Sequence, residues 1–260
     1  MSEEHIAYHT VLEREPSYKR RESLYAAHQS WLKVCRVLEL DIKAKGEQNL
    51  LLTSDPAFPP LLKEIPLVPH GMYFQGLLRP SEKAVAIVGT RGATKNGLEM
   101  AHGLAKTLAK AGLTIVSGLA LGLDGAAHRG ALEGGGRTIA VMPCGLKRIY
   151  PKEHASLARE IIGRGGALVS EYHPQRGIEK YQFLERNRIV SGLSLMTVVI
   201  EAPQRSGALS TASHCIEQNR ELGVLPGPVS DPNYQGSNQL IQQGAALISS
   251  AQDVFNILGI

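Results

Sequence analysis

From residue 84 onward the apolar positions come in short unbroken runs, separated by longer stretches in which they recur at helical spacing. The runs at 84–88, 113–116, 138–142, 167–169, 195–200 and 223–225 are too short for helices. Unbroken apolar runs of this length predict strands buried on both faces. Between the first two runs, Leu98, Ala101, Leu104, Ala105 and Leu108 fall on one helical face, and Gly112 supplies a stop. A second helix is predicted to start at Asp124, a capping residue type, and to end in Gly134-Gly135-Gly136. Six strands alternating with helices imply parallel pairing. Right-handed crossovers then give an α/β, Rossmann-like, doubly wound and mainly parallel sheet, which binds ligands beyond the carboxyl ends of its strands.

The chain before residue 84 reads differently. Residues 1–50 are polar at first and then carry Trp31, Leu32, Val34, Cys35, Val37, Leu38 and Leu40 in a helical pattern, predicting a short helical N-terminal piece. Residues 51–80 hold Pro56, Pro59, Pro60, Pro66, Pro69 and Pro80, which predict an extended strap against the main domain, 81–260. A length of 260 residues fits one large domain with a small appendage. No run approaches the roughly 18 apolar residues of a membrane span, and Met1-Ser2-Glu3-Glu4-His5 lacks the basic start of a secretory signal, so the expected location is the cytoplasm. Cys35, Cys144 and Cys215 are widely spaced, and no His-x-x-x-His pair occurs, so neither a disulfide framework nor a metal site is expected. The net charge of +4 leans toward an anionic partner without deciding for one.

The candidate chemistry lies in the loops after the strands. Gly89-Thr90-Arg91-Gly92 follows the first strand, Ser117-Gly118-Leu119-Ala120-Leu121-Gly122-Leu123-Asp124 the second, and Glu201-Ala202-Pro203-Gln204-Arg205-Ser206-Gly207 the fifth. Glycines let backbone N–H groups approach an anion, a helix N-terminus adds positive potential, and hydroxyl and guanidinium groups add hydrogen bonds. Taken singly, each loop could equally be a tight strand-to-helix turn; three at one sheet edge point to anion binding. No phosphate-binding Gly-x-x-x-x-Gly-Lys-Ser/Thr, no Gly-x-Gly-x-x-Gly and no Gly-x-Ser-x-Gly is present, so no cofactor is expected and nucleotide hydrolysis, dinucleotide redox chemistry and serine hydrolysis lose support. The fourth loop mixes rings and cations through Tyr172, Arg176, Lys180, Tyr181 and Phe183, followed by Arg186-Asn187-Arg188 at an expected helix start. Rings that stack bases beside cations that meet phosphates suit a single strand. The competing reading packs Tyr181 and Phe183 in the core and pairs Arg186 and Arg188 with glutamates.

These segments, with Phe183 to Ser194, Ser206 to Ala212, Pro226-Gly227 and Gly236 to Ala245 in the same order, resemble the DprA/Smf family of DNA-processing proteins. The resemblance runs from about Thr53 to the end. It implies a non-enzymatic protein that binds and protects incoming single-stranded DNA during natural transformation, forms a homodimer and helps load the RecA recombinase. It also implies DNA contacts at Arg91, Lys180 and Phe183. Together with the loop residues, the candidate DNA-binding set is Gly89, Thr90, Arg91, Ser117, Gly118, Lys180, Phe183, Arg186, Asn187, Arg188, Ser206 and Gly207. A fuller N-terminal helical domain and a C-terminal winged helix, which members of the family carry, are expected to be absent.

The alternative is a nucleotide-binding or nucleotide-hydrolysing enzyme of the lysine-decarboxylase-like Rossmann group. That group's Pro-Gly-Gly-x-Gly-Thr loop is missing, because Pro226-Gly227 runs into Pro228-Val229-Ser230. Glu201, at a strand end, would be its carboxylate catalyst; otherwise Glu201 holds Arg91 or a loop amide.

Overall fold

The computed structural model describes residues 2–15, 17–40 and 49–260; residues 1, 16 and 41–48 of the helical N-terminal piece lie outside the described residues. The strands are β1 (Leu50–Leu52), β2 (Gly71–Gly76), β3 (Ala84–Val88), β4 (Thr114–Ser117), β5 (Thr138–Val141), β6 (Ala167–Ser170), β7 (Met196–Val199), β8 (Glu221–Val224) and β9 (Ala246–Leu247). The helices are α1 (Glu3–Arg14), α2 (Tyr18–His28), α3 (Trp31–Val37), α4 (Pro60–Lys63), α5 (Lys95–Lys110), α6 (Leu123–Glu133), α7 (Ala155–Gly163), α8 (Lys180–Gly192), α9 (Gly207–Glu217), α10 (Gln235–Gln242) and α11 (Ala251–Leu258). Among the described residues the strands form one sheet in the order β1-β2-β6-β5-β4-β3-β7-β8-β9. From β6 to β9 every neighbouring pair is parallel, which is the doubly wound arrangement expected.

The apolar runs form strands because both faces are covered. In β3, Ala84, Ala86 and Val88 pack with Ile189 and Val190 of α8 and Ala208 and Ala212 of α9. The intervening Val85 and Ile87 pack on the other face with Ala101, Leu104 and Leu108 of α5 and Ala127 and Ala131 of α6. Alternation of side chains across the pleat sends each set to its own core, so neither face can take a polar residue cheaply. The apolar face of α5 is the one read from sequence, and the helix gives way at Gly112, whose φ is +90°.

Two expectations are corrected. The proline-rich segment is not only a strap: it supplies β1 and β2, which pair antiparallel with each other, while β2 pairs antiparallel with β6. Its prolines at 56, 59, 60, 66 and 69 all fall between the two strands, so the ladder keeps its N–H donors. Helix α6 starts at Leu123 behind Gly122 rather than at Asp124, because Gly122 adopts φ +79° and Asp124 turns its carboxylate back to the preceding loop. In the N-terminal piece, Ala7, Tyr8 and Val11 of α1 and Trp31 and Val34 of α3 pack on Leu50, Tyr73 and Leu168 of the sheet.

Candidate nucleic-acid interface

β3 has β4 on one side and β7 on the other, so the chain leaves it in opposite directions and a crevice opens beyond its carboxyl end. A cavity of about 300 Å³ occupies that place, lined by all three glycine-rich loops and by one face of α8. The first and last loops are tied together by the Thr90 amide, which donates to the Glu201 carbonyl at 2.8 Å. Gly122 packs against this junction: a Cβ there would lie 2.6 Å from the carbonyl oxygens of Thr90 and Arg91.

Helix α8 supplies the floor. It begins at Lys180, earlier than expected, through a capping box in which Glu179 and Gln182 satisfy each other's backbone amides. Phe183, Arg186, Asn187 and Val190 therefore share one helical face and line the crevice together. Arg186 is buried and donates from Nη1 to the Val141 carbonyl at 2.5 Å. Its guanidinium lies so close to the second loop that a Cβ on Gly118 would sit 1.9 Å from Nη1, which explains glycine at that position. Asn187 donates to the Gly207 carbonyl at 3.1 Å and fixes the loop before α9. There the Ser206 hydroxyl caps the helix by accepting from the Ala208 amide at 3.2 Å.

The crevice is cationic. Arg91, Arg186 and Arg205 face it against one carboxylate, Asp124. Asp124 accepts from the Gly118 and Ala120 amides at 3.1 and 3.2 Å. Burial pushes its pKa up, while Arg186 and those amides pull it back down. Burial pushes the Arg186 pKa down, Asp124 opposes this, and Arg91 adds to it. An anion between Arg91 and Arg186 would relieve their mutual repulsion and replace lost hydration. The exposed Arg91 guanidinium lies 4.8 Å from the centroid of the half-buried Phe183 ring, and Tyr150 meets the same ring edge-on at 5.7 Å. A planar cation on a ring, beside anion-binding loops, offers a phosphate contact and a stacking surface within one site.

Of the residues singled out from sequence, Gly89, Thr90, Arg91, Gly118, Phe183, Arg186, Asn187, Ser206 and Gly207 line the crevice, and three do not. The Ser117 hydroxyl is fully buried and donates to the Ile87 carbonyl at 2.6 Å, bracing β4 on β3. Arg188 leaves α8 on another face and pairs with buried Glu171 at 2.5 Å, its guanidinium over Tyr18. Lys180, at the exposed start of α8, lies outside the lining. The sequence reading missed Arg205 and Asp124 as lining residues; an acid in the first turn of a helix that follows a glycine-rich loop was the available signal for Asp124. Glu201 is buried away from the crevice, with its carboxylate accepting from the Thr94 amide at 2.9 Å, the Thr94 hydroxyl and the Tyr234 hydroxyl at 2.8 Å. It holds a loop amide, not Arg91. Among the described residues no cluster of His, Cys, Asp or Glu could hold a metal ion, and no helix is long and apolar enough to cross a membrane.

The family model described as DNA recombination-mediator protein A matches residues 49–259. Protein Smf of Escherichia coli is 41% identical over 211 residues, which are 81% of this chain and 56% of that protein. DNA processing protein DprA of Bacillus subtilis is 39% identical over 81% of this chain and 71% of its own length. The chain thus spans little more than half of the Escherichia coli relative. Among solved structures, a DprA from Helicobacter pylori, described for its single-stranded DNA binding mode, superposes with a TM-score of 0.72 at 32% identity, over 80% of this chain and 95% of that one.

Proposed function

This chain belongs to the DNA recombination-mediator protein A family, and we propose that it binds single-stranded DNA along the carboxyl edge of its sheet, with Arg91, Phe183 and Arg186 at the centre of the contact. The observation that carries the proposal is the Arg91 guanidinium stacked on Phe183 at the mouth of a crevice walled by backbone amides and two further arginines. Phosphates and base faces are common to all sequences, so the binding is of mixed sequence. Arg186 and Asn187, on the crevice face of α8, are buried, so that face cannot enter a duplex groove. The Helicobacter pylori relative's described binding of single strands supports the same substrate here.

We further propose that the bound strand is protected and passed to the RecA recombinase in the cytoplasm during natural transformation, and that the protein works as a homodimer. Leu247, exposed on the edge strand β9, and exposed Ile260 support a contact through residues 241–260. No catalytic step is included, because both carboxylates at this edge have structural partners: Asp124 accepts from the Gly118 and Ala120 amides, and Glu201 is held by Thr94 and Tyr234. Anisotropy of a labelled oligonucleotide tests the proposal: a clear preference for the single strand over its duplex is expected, and equal affinity for both would refute it. Sedimentation at micromolar concentration tests the dimer, which a monomer would contradict.

A further inference from the structure

A separate cavity, of about 300 Å³, lies at the opposite edge of the sheet from the crevice. It forms where the chain enters β3, β5 and β7, whose amino ends share that edge because these strands run parallel in one sheet. Its floor is apolar, made by Leu61, Leu78, Pro80, Ile139, Leu193 and Leu195. Ile139 and Leu193 are buried, whereas Leu61, Leu78 and Leu195 are only half-buried and Pro80 is exposed. Apolar surface is therefore open here to an incoming group.

The rim carries charge. Arg79 and Lys83 line the same cavity, and both are exposed. Neither forms an ion pair with a carboxylate among the described residues. Glu82, the one acid in the lining, is already committed: it meets Arg137 at 2.6 Å and accepts from the Thr114 hydroxyl at 2.5 Å and from the Arg79 amide at 3.1 Å. Those bonds fix the turn that carries both cations. Nearby Glu64 is paired with Arg220 at 2.7 Å. The carboxyl end of α8, beside Leu193, brings roughly half a negative charge, which two full positive charges exceed.

An apolar floor under cations that lack a counter-charge is complementary to an apolar group flanked by carboxylates. A nucleic acid strand fits poorly, because the lining holds no aromatic ring on which a base could stack. The volume is at the lower limit of small-molecule sites, about 300–1,000 Å³, and suits an anchoring side chain better than a whole cofactor. We propose that this edge docks an acidic peptide segment of a partner protein, with a large apolar side chain in the cavity and neighbouring carboxylates on Arg79 and Lys83. Because the cavity and the crevice lie at opposite edges, the peptide and a single strand can be held together.

The test is anisotropy of an amino-terminally labelled peptide, three aspartates followed by leucine and phenylalanine, titrated with the full chain. Saturable binding is expected. It should be lost when the aspartates are replaced by asparagine, and lost when the leucine and phenylalanine are replaced by serine. The double variant Arg79→Glu, Lys83→Glu, changed only at exposed positions, should bind the peptide roughly tenfold more weakly, with melting temperature and single-strand affinity as in wild type. A saturating unlabelled oligonucleotide should leave the peptide bound. No saturable binding, equal binding of either substituted peptide, an unaltered affinity in the double variant, or displacement by the oligonucleotide, which would put the peptide on the arginines of the crevice, would each overturn the proposal. The peptide titration itself contains no DNA, so its failure is distinguishable from failure of the DNA-binding reading.

Discussion

Phe183 shows how far a single residue could be read. Its sequence neighbours, Lys180 on one side and Arg186-Asn187-Arg188 on the other, left a stacking ring and a core ring equally open. The structure places it half-buried, with one contact to Arg91 and one to Tyr150, in the lining of the crevice. Phe183→Ala should therefore cost about 1–3 kcal/mol of single-strand affinity. Its melting temperature should fall only slightly, since the ring is absent from the buried cores. A loss of folding stability near the 3–5 kcal/mol typical of a core phenylalanine, roughly, with normal binding by the folded fraction, would return the residue to a packing role. Ser117 and Arg188 were singled out for a hydroxyl and a guanidinium, and side-chain chemistry alone does not say which way a residue points. Ser117 is spent inside the sheet and Arg188 on Glu171.

At the scale of elements, β3 to β8 were legible because double burial leaves an unbroken apolar run, and α5 because its burial is one-sided. Less legible were β1 and β9, whose three and two residues are too few for a pattern, and β2, whose six residues mix glycine, aromatic and polar positions and are buried only over their first half, behind a proline-rich stretch. The start of α8 was missed because the capping box lies in a glutamate and a glutamine amid a loop-like stretch. The contact of α6 with β5 makes a separate prediction. Thr138 gives its hydroxyl proton to the Ile115 carbonyl at 2.7 Å, so it can only accept from His128 Nδ1, also at 2.7 Å. His128 is thus the Nδ1–H tautomer, fully buried, and burial, with His154 and Arg186 nearby, drives its pKa from 6.5 down to about 3. The unfolded chain takes up a proton below about pH 6.5 that the folded protein refuses until about pH 3. Stability contributed by this residue is therefore full above that window and lost as pH falls through it, by about 1.4 kcal/mol per pH unit. Urea unfolding of wild type and His128→Asn at pH 7 and pH 5 should show about 2 kcal/mol less acid destabilisation in the variant. Equal decline in both would show that His128 is protonated in the folded state.

For the whole molecule, the account rests on one consequence of topology: the chain diverges at β3, and the loops that follow β3, β4 and β7 meet at one edge with the cationic face of α8 beneath them. That convergence was legible from the order of strands and loops, whereas the paired burial of Arg186 and Asp124 was not, because it depends on Gly118 leaving room for a guanidinium. The most direct test is the salt dependence of single-strand affinity in wild type and Arg91→Ala. If Arg91 meets a phosphate at this edge, the variant binds more weakly, and the slope of log affinity against log salt is shallower by about 0.7, one phosphate contact on a single strand. Arg91 is exposed, so the melting temperature should be unchanged. An Arg91→Ala variant that is folded as wild type and keeps both its affinity and its salt slope would contradict the account.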